Sequence, residues 1–366
     1  MNNSRINIAS TFSGIGAFEA ALNKLGIDHK IVFACDNDKF CKESYLANYK
    51  IDNENWYDDV KDIDGHNYAN KIDILTGGTP CQSFSMVGKR KGFEDTRGTL
   101  FYDFARLIKE VQPKCFIFEN VKGLKSHDKG KTWSRIIEVL SNEDQLNYDV
   151  HPMVLNARDY GIPQNRERVF IVGFKEKQSK FKEPEKIELN STMQDFLQDN
   201  FESKYLLPEK GIDFVTKDKN IKKRYTQING DIQLCQKANQ QFNWHGDFIL
   251  QKQLEIPEKY YLSEKVKKYV LSSGTKAFYS KPKTDLPIAR PLISTMHKMH
   301  RSGVDNYVTD SVGIRKLTPL ECLRLMGFDD SFKRVVSDTQ LYRQAGNSIV
   351  VSVLVHLFNS IFKSYE

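Results

Sequence analysis

Cysteine is sparse in this sequence, six residues in 366, and none of the six forms a Cys-x-x-Cys pair or stands at zinc-type spacing from histidine. That excludes a disulfide framework and a zinc site as organising devices, no metal is expected, and a reduced, cytoplasmic protein is predicted. Long hydrophobic runs are missing too. The most apolar stretch, 349–362, is too short to span a bilayer and carries His356 and Asn359, so it reads as a buried helix. Residues 1–5 lack the apolar segment of a signal peptide. No internal repeat is present. Neither sign of charge dominates: 54 Lys and Arg against 47 Asp and Glu leave a net +7, which is compatible with a polyanionic partner without requiring one.

The chain does have ample apolar content, 40% of residues, and enough length for one large domain or two ordinary ones; two are predicted. Its focal stretch is Gly77-Gly78-Thr79-Pro80-Cys81-Gln82. The apolar run before it (Ile72, Ile74, Leu75) reads as a buried parallel strand, which places Cys81 at the carboxyl edge of a sheet, where open α/β folds carry their chemistry. A buried structural thiol is the competing reading at this point.

Upstream, residues 6–12 read as a strand, followed by a glycine turn (Ser13-Gly14-Ile15-Gly16) and an amphipathic helix with Phe18, Ala21, Leu22 and Leu25 on one face. This is the first half of a nucleotide-binding unit, in which glycine lets the backbone approach a ligand. A second strand, 30–34, delivers Asp36 about 20 residues beyond the turn, where such folds hydrogen-bond a ribose. Asp58 and Asp59 follow. Several acidic strand ends argue against a phosphate-rich dinucleotide and for a ribose-bearing cofactor that carries positive charge.

Downstream, helical spacing covers 100–111, and a further apolar strand, 115–118, delivers Glu119 to the same edge, where partial desolvation should raise its pKa. A helix over 132–140 and strands over 148–155 and 168–174 continue the alternation. Between those strands Arg166 and Arg168 stand two apart, a spacing that in extended backbone points both guanidiniums the same way. From about residue 181 to 310 the alternation fades into polar sequence with basic and aromatic residues interleaved, as a groove-reading surface would use or as a solvated surface would carry. Regular patterning returns with a capped helix starting at Thr318-Pro319 and the stretch Gln344-Ala345-Gly346-Asn347-Ser348 before the apolar helix.

In this order, the stretches Phe12-Ser13-Gly14-Ile15-Gly16, Pro80-Cys81-Gln82, Glu119-Asn120-Val121, Gln164-Asn165-Arg166-Glu167-Arg168 and Gln344-Ala345-Gly346-Asn347-Ser348 resemble the motifs of the C5-cytosine-specific DNA methyltransferase family of bacterial restriction-modification type. The segment 315–328 resembles the family's penultimate motif. The likeness covers both ends of the chain and leaves the centre unmatched. It implies an α/β fold: a Rossmann-like methyltransferase domain with a mostly parallel sheet over 1–180 and 311–366, and a smaller, irregular target-recognition domain over 181–310. The implied reaction moves a methyl group from S-adenosyl-L-methionine to C5 of a cytosine flipped out of duplex DNA, leaving S-adenosyl-L-homocysteine.

The resemblance also assigns residues. Cys81 would be the nucleophile that adds to cytosine C6, Glu119 would hold N3 and N4, and Arg166 and Arg168 would orient the base. The cofactor would meet Phe12, Gly14, Ile15, Gly16, Asp36, Asn37, Asp59, Val60, Pro80, Leu100, Asn347, Ser348 and Ile349. DNA would meet Gln82, Ser85, Lys89, Arg97, Ser294 and Thr295, and residues 83–99 would close over the target. Asp36 stands where many relatives have Glu, Asn37 where an aromatic is common, and Thr79 where Phe or Pro is usual. Double-stranded DNA is the expected partner and a monomer the expected form, with a cognate restriction endonuclease as companion. Two other readings stay open at this stage: transfer RNA as the substrate, or a catalytically silent DNA-binding module.

Overall fold

The computed structural model describes residues 5–79, 100–142, 144–178, 180–198, 205, 207–223, 225–238, 244–250, 288, 290–294, 307–309 and 314–366. Two compact units divide the chain. The first comprises Met1–Leu155, Glu167–Glu185 and Val353–Glu366, and the second Asn156–Arg166 and Lys186–Ser352. Residues 311–352, expected with the first domain, thus pack within the second unit, as does the short segment 156–166.

The first unit is built on a seven-stranded sheet. Its elements run β1 (Ile6–Thr11), α1 (Ala17–Lys24), β2 (His29–Cys35), α2 (Lys39–Asn48), β3 (Trp56–Tyr57), β4 (Ile74–Gly77), α3 (Leu100–Val111), β5 (Cys115–Val121), α4 (Lys131–Ser141), β6 (Asp149–Asn156) and β7 (Glu167–Phe174). Strand order is β3-β2-β1-β4-β5-β7-β6, with β1 to β5 parallel. Strands covered on both faces need continuous apolar runs, and Ile74, Leu75, Phe116, Ile117 and Phe118 are fully buried. Helix α3 buries Phe101, Phe104, Leu107, Ile108 and Val111 against the sheet; each such side chain contributes about 1.5–3 kcal/mol.

Strand order reverses between β1 and β4, and in open α/β sheets the crevice beyond the carboxyl ends at such a reversal is where ligands bind. Strand β7 is antiparallel to β5. No local pattern in the sequence signals that direction, and it matters because it brings the start of β7 to the same edge as the end of β5.

The predicted terminal helix is α9 (Val351–Ser364); α8 (Asp338–Asn347) precedes it. By length and composition the span Asp338–Ser364 could cross a membrane. It is broken around residues 348–350, however, and within the first unit Val353, Leu354, Leu357, Phe358 and Ile361 are buried, with Phe358 meeting Phe18 edge-on at 6.4 Å. That is the environment of a core helix.

The second unit holds smaller pieces: α5 (Glu209–Val215), α6 (Asp218–Lys222), a four-stranded sheet of β8 (Thr226–Ile228), β10 (Gly246–Leu250), β12 (Tyr307–Thr309) and β13 (Ile314–Lys316), and a pair made by β9 (Cys235–Ala238) and β11 (Arg290–Ser294). Helix α7 (Pro319–Leu325) begins with a reciprocal capping box between Thr318 and Glu321, as its sequence predicts. Side chains of Gln164, Gln227 and Asn220 are buried here and bond to backbone carbonyls.

Candidate active site

Parallel register aligns five strands in the first unit, the ends of four of them with Phe118 of β5: Thr11 pairs with Cys35 and with Gly77, Cys35 with Tyr57, and Gly77 with Phe118. The glycine turn, Asp36, Asp58-Asp59, Gly78-Thr79 and Glu119 therefore all emerge at one edge. Sequence spacing anticipated the edge. The register shows which loops are neighbours on it.

At the glycine turn the backbone is left-handed at Phe12 (φ 53°), Gly14 (φ 54°) and Gly16 (φ 79°). Gly16 is required on two counts, since a Cβ there would lie 2.2 Å from the Tyr49 ring. Tyr49 also donates its hydroxyl to Gly16 O at 2.7 Å. Asp36 accepts from Gly14 N (2.8 Å) and Asp38 N (2.9 Å), which clasps the turn to the end of β2. Asn37 and Asp59 are exposed, with Asp59 Oδ1 accepting from Lys61 N at 3.0 Å. Ile15 and Val60 are buried, so their side chains belong to the core and only their backbones can serve a ligand. This set of carboxylates at strand ends beside a left-handed glycine turn fits the hydroxyls of a ribose.

Around Glu119 the geometry is tighter. Glu119 lies inside β5, paired with Phe170, because the strand runs three residues further than its apolar core suggests. A Cβ on Gly78 would stand 2.9 Å from Glu119 Oε2, so the glycine lets the loop pass directly over the carboxyl group. Asn120, fully within the sheet, donates Nδ2 to Thr79 O (2.7 Å) and Oγ1 (3.3 Å) and fixes that loop two residues before Cys81. Arg168, opposite Val121 on antiparallel β7, places Nε 3.1 Å from Glu119 Oε1. Burial alone would leave Glu119 as an isolated acid; Arg168 gives it a cationic partner.

Arg166 departs from expectation. It is 3% exposed, precedes β7, and its guanidinium bonds within the second unit to Gly346 O (3.0 Å), Ser348 O (2.7 Å) and Leu292 O (3.4 Å). The two arginines have different partners: Arg166 bonds backbone carbonyls within the second unit and Arg168 pairs with Glu119 within the first, the extended strand beginning at Glu167. Arg166 instead brackets Asn347, which is exposed between buried Gly346 and Ser348.

Of the other expected residues, Pro80, Cys81, Gln82, Ser85, Lys89, Arg97 and Thr295, with the segment 83–99, lie outside the described residues. Ser294 ends β11, where its backbone pairs with Ala238. Leu100 opens α3, and Ile349 sits in the break before α9. Among the described free cysteines Cys35, Cys41, Cys115 and Cys322 are all buried, and burial together with Asp36 pushes the Cys35 thiol up to about 12. These are inert thiols.

Sequence reasoning missed Asn120 and also Arg106, whose guanidinium holds the carbonyls of Val60 (2.9 Å) and Ile63 (2.8 Å) and so shapes the Asp59 loop. Its signal was a charge four residues before Glu110 on the same helix, with which it pairs at 2.9 Å.

Comparison with known proteins agrees with this geometry. The profile of the C-5 cytosine-specific DNA methylase family matches residues 6–363. The chain is 33% identical to the type II methyltransferase M.HhaI of Haemophilus parahaemolyticus, covering 96% of this chain and 93% of that protein. It is 35% identical to the type II methyltransferase M.HpaII of Haemophilus parainfluenzae, covering 94% and 85%. With the orphan methyltransferase M.SPRI of Bacillus phage SPR the figures are 30%, 99% and 98%. Solved structures share the fold: the Entamoeba histolytica methyltransferase EhMeth superposes with a TM-score of 0.64 at 17% identity over the full length of both chains. The chain belongs to the C-5 cytosine-specific DNA methylase family and is an S-adenosylmethionine-dependent cytosine-C5 DNA methyltransferase.

Proposed function

We propose that the enzyme methylates a cytosine flipped out of a specific duplex DNA sequence, through a covalent bond between Cys81 and C6 of the base. The observation that carries this reading is the clamp of Asn120 on Thr79 beside the Glu119–Arg168 pair, which ties the loop leading to Cys81 to the acid. Cytosine C5 is a weak nucleophile. Addition of the Cys81 thiolate to C6 pushes electron density onto C5, and Glu119 eases that addition by delivering a proton toward N3 while accepting from the N4 amine, which selects cytosine. Arg168 holds Glu119 in place and orients the base. S-adenosylmethionine, when bound, supplies the electrophilic methyl group. Loss of the C5 proton to water, return of the N3 proton to Glu119 and departure of Cys81 then restore the aromatic ring. A stacked base cannot reach such a pocket, which is why flipping is part of the reading.

The residues that would hold the cofactor are Phe12, Gly14 and Gly16 at the turn, Asp36 and Asp59 at the strand ends, and Pro80, Leu100, Asn347 and Ser348. Arg166 is reassigned from the base to the turn that presents Asn347. Residues 181–310 would form the target-recognition domain, and the protein would act on DNA as a monomer in the cytoplasm. The type II names of M.HhaI and M.HpaII support a cognate restriction endonuclease as companion. Supplied with tritiated S-adenosylmethionine, the enzyme should label duplex DNA as 5-methylcytosine and leave transfer RNA unlabelled, and the Cys81→Ser variant should label neither. Label in transfer RNA alone, or substantial transfer by Cys81→Ser, would overturn the proposal.

A further inference from the structure

Helix α1 buries a carboxylate that the mechanism does not use. Glu19, fully buried in the first turn, follows Gly16 by three residues and shares the inner face of α1 with Ala21 and Leu22. Its Oε1 accepts from Tyr45 OH at 2.7 Å and from Ser10 Oγ at 2.8 Å, while Oε2 has no hydrogen-bond partner among the described residues. Burying an acid costs stability unless its bonds return something. Here they lead to the glycine turn.

Ser10 Oγ lies 3.0 Å from Ser13 Oγ, and Ser13 Oγ accepts from Cys35 N at 3.1 Å. A carboxylate only accepts, so Ser10 donates to Glu19 and its oxygen is left to accept at Ser13. Ser13 Oγ accepts from Cys35 N, and its own proton has the carbonyls of Ser10 (3.0 Å) and Cys35 (3.1 Å) in reach, so the network ties Glu19 to both strands. Ser13 N also donates to Cys35 O at 2.9 Å, and the next residue on each side closes the same seam through Gly14 N and Asp36. On its other side Glu19 holds Tyr45 of α2, the helix whose neighbouring Tyr49 bonds Gly16 O. Both ends of a turn containing three left-handed residues are thus referred to one buried acid. Such a turn does not keep its shape unaided.

We infer that Glu19 is a positioning residue that pre-forms the cofactor turn, fixing Ser13–Gly16 against the Asp36 end of β2 so that binding does not have to order it. The inference rests on the reading of this turn as the S-adenosylmethionine site. It extends to binding and not to chemistry, because no reacting group touches Glu19.

The test is calorimetric titration of S-adenosylhomocysteine into the full-length enzyme and its variants, with Tm recorded for each. Glu19→Ala should weaken binding about tenfold or more, whereas Glu19→Gln, whose amide oxygen can still accept from Ser10 and Tyr45, should recover most of it. At saturating cofactor kcat and the affinity for DNA should stay near wild type. Should Glu19→Ala fail to fold, Ser13→Ala carries the test, since it removes the middle of the network and is expected to weaken binding several-fold. A folded Glu19→Ala or Ser13→Ala that binds as wild type overturns the inference, and so does a Glu19→Gln as weak as Glu19→Ala. Asp36→Ala separates this from the underlying reading: lost binding there with intact binding in Glu19→Ala defeats the inference alone, and unchanged binding in Asp36→Ala defeats both.

Discussion

Arg166 and Arg168 stand two residues apart, yet one closes the second unit's segment 156–166 and the other lies near the start of the first unit's strand β7. Arg166 is buried on three backbone carbonyls, and Arg168 keeps partial exposure beside Glu119. The same contrast runs through the two units. The first buries apolar strands and brings Asp36, Asp59 and Glu119 to one sheet edge, with buried polar groups such as Glu19 and Asn120 bonded behind it. The second buries polar side chains and spends them on its own backbone: Gln164 on Leu325 O, Gln227 on Ile232 O and Ile288 O, Arg166 on Gly346 O and Ser348 O. A shared motif is therefore no guarantee of a shared role, and a residue's bonds decide whether it reacts or supports.

Substituting the two arginines separately sharpens that contrast. Arg168→Ala should lower kcat about 10²-fold or more while Tm stays close to wild type, because it removes a partly exposed group beside the proposed acid. Arg166→Ala should instead cost about 3 kcal/mol of stability, since it strands buried carbonyls that a cation now satisfies. Paired denaturation and steady-state measurements would show the split. Equal effects of both variants on turnover, with neither affecting stability, would break it.

A smaller effect belongs to the first unit's terminal helix. Burial lowers the pKa of His356 below its ordinary 6.5. The unfolded chain therefore binds this proton more readily than the folded one, so the contribution to stability is present above pH 6.5 and is lost as pH falls through the depressed value. His356→Gln should flatten the acid-side fall in urea midpoint between pH 7.5 and pH 5. An unchanged slope would remove His356 from the account.

How much could be read beforehand follows the same division. The strands of the first unit were legible because fully buried parallel strands are short apolar runs ended by glycine or a carboxylate, as in 72–78 and 115–119. Helix α3 was legible to the residue, from its spacing and from Pro113. Helix α2 was not, because it buries only Cys41, Ser44 and Tyr45 and so has little apolar stripe. The direction of β7 left no local trace, and it is what brings Arg168 to Glu119. In the second unit strands of three to five residues are held by bonds reaching far along the chain, such as Gln164 to Leu325, and no periodicity encodes those. Glu19 was not singled out in the sequence, because its partners Ser10 and Tyr45 lie 9 and 26 residues away.

The central claim is the bond between Cys81 and the base, and it can be seen directly. Duplex DNA carrying 5-fluorocytosine at the target position, incubated with the enzyme and S-adenosylmethionine, should give a denaturation-resistant complex, because fluorine at C5 cannot leave as a proton and Cys81 cannot depart. Peptide mass spectrometry should place the DNA on Cys81, and Cys81→Ser should form no complex. A wild-type enzyme that methylates cytosine yet leaves no covalent complex with the fluorinated duplex, or a complex that persists in Cys81→Ser, would contradict the mechanism.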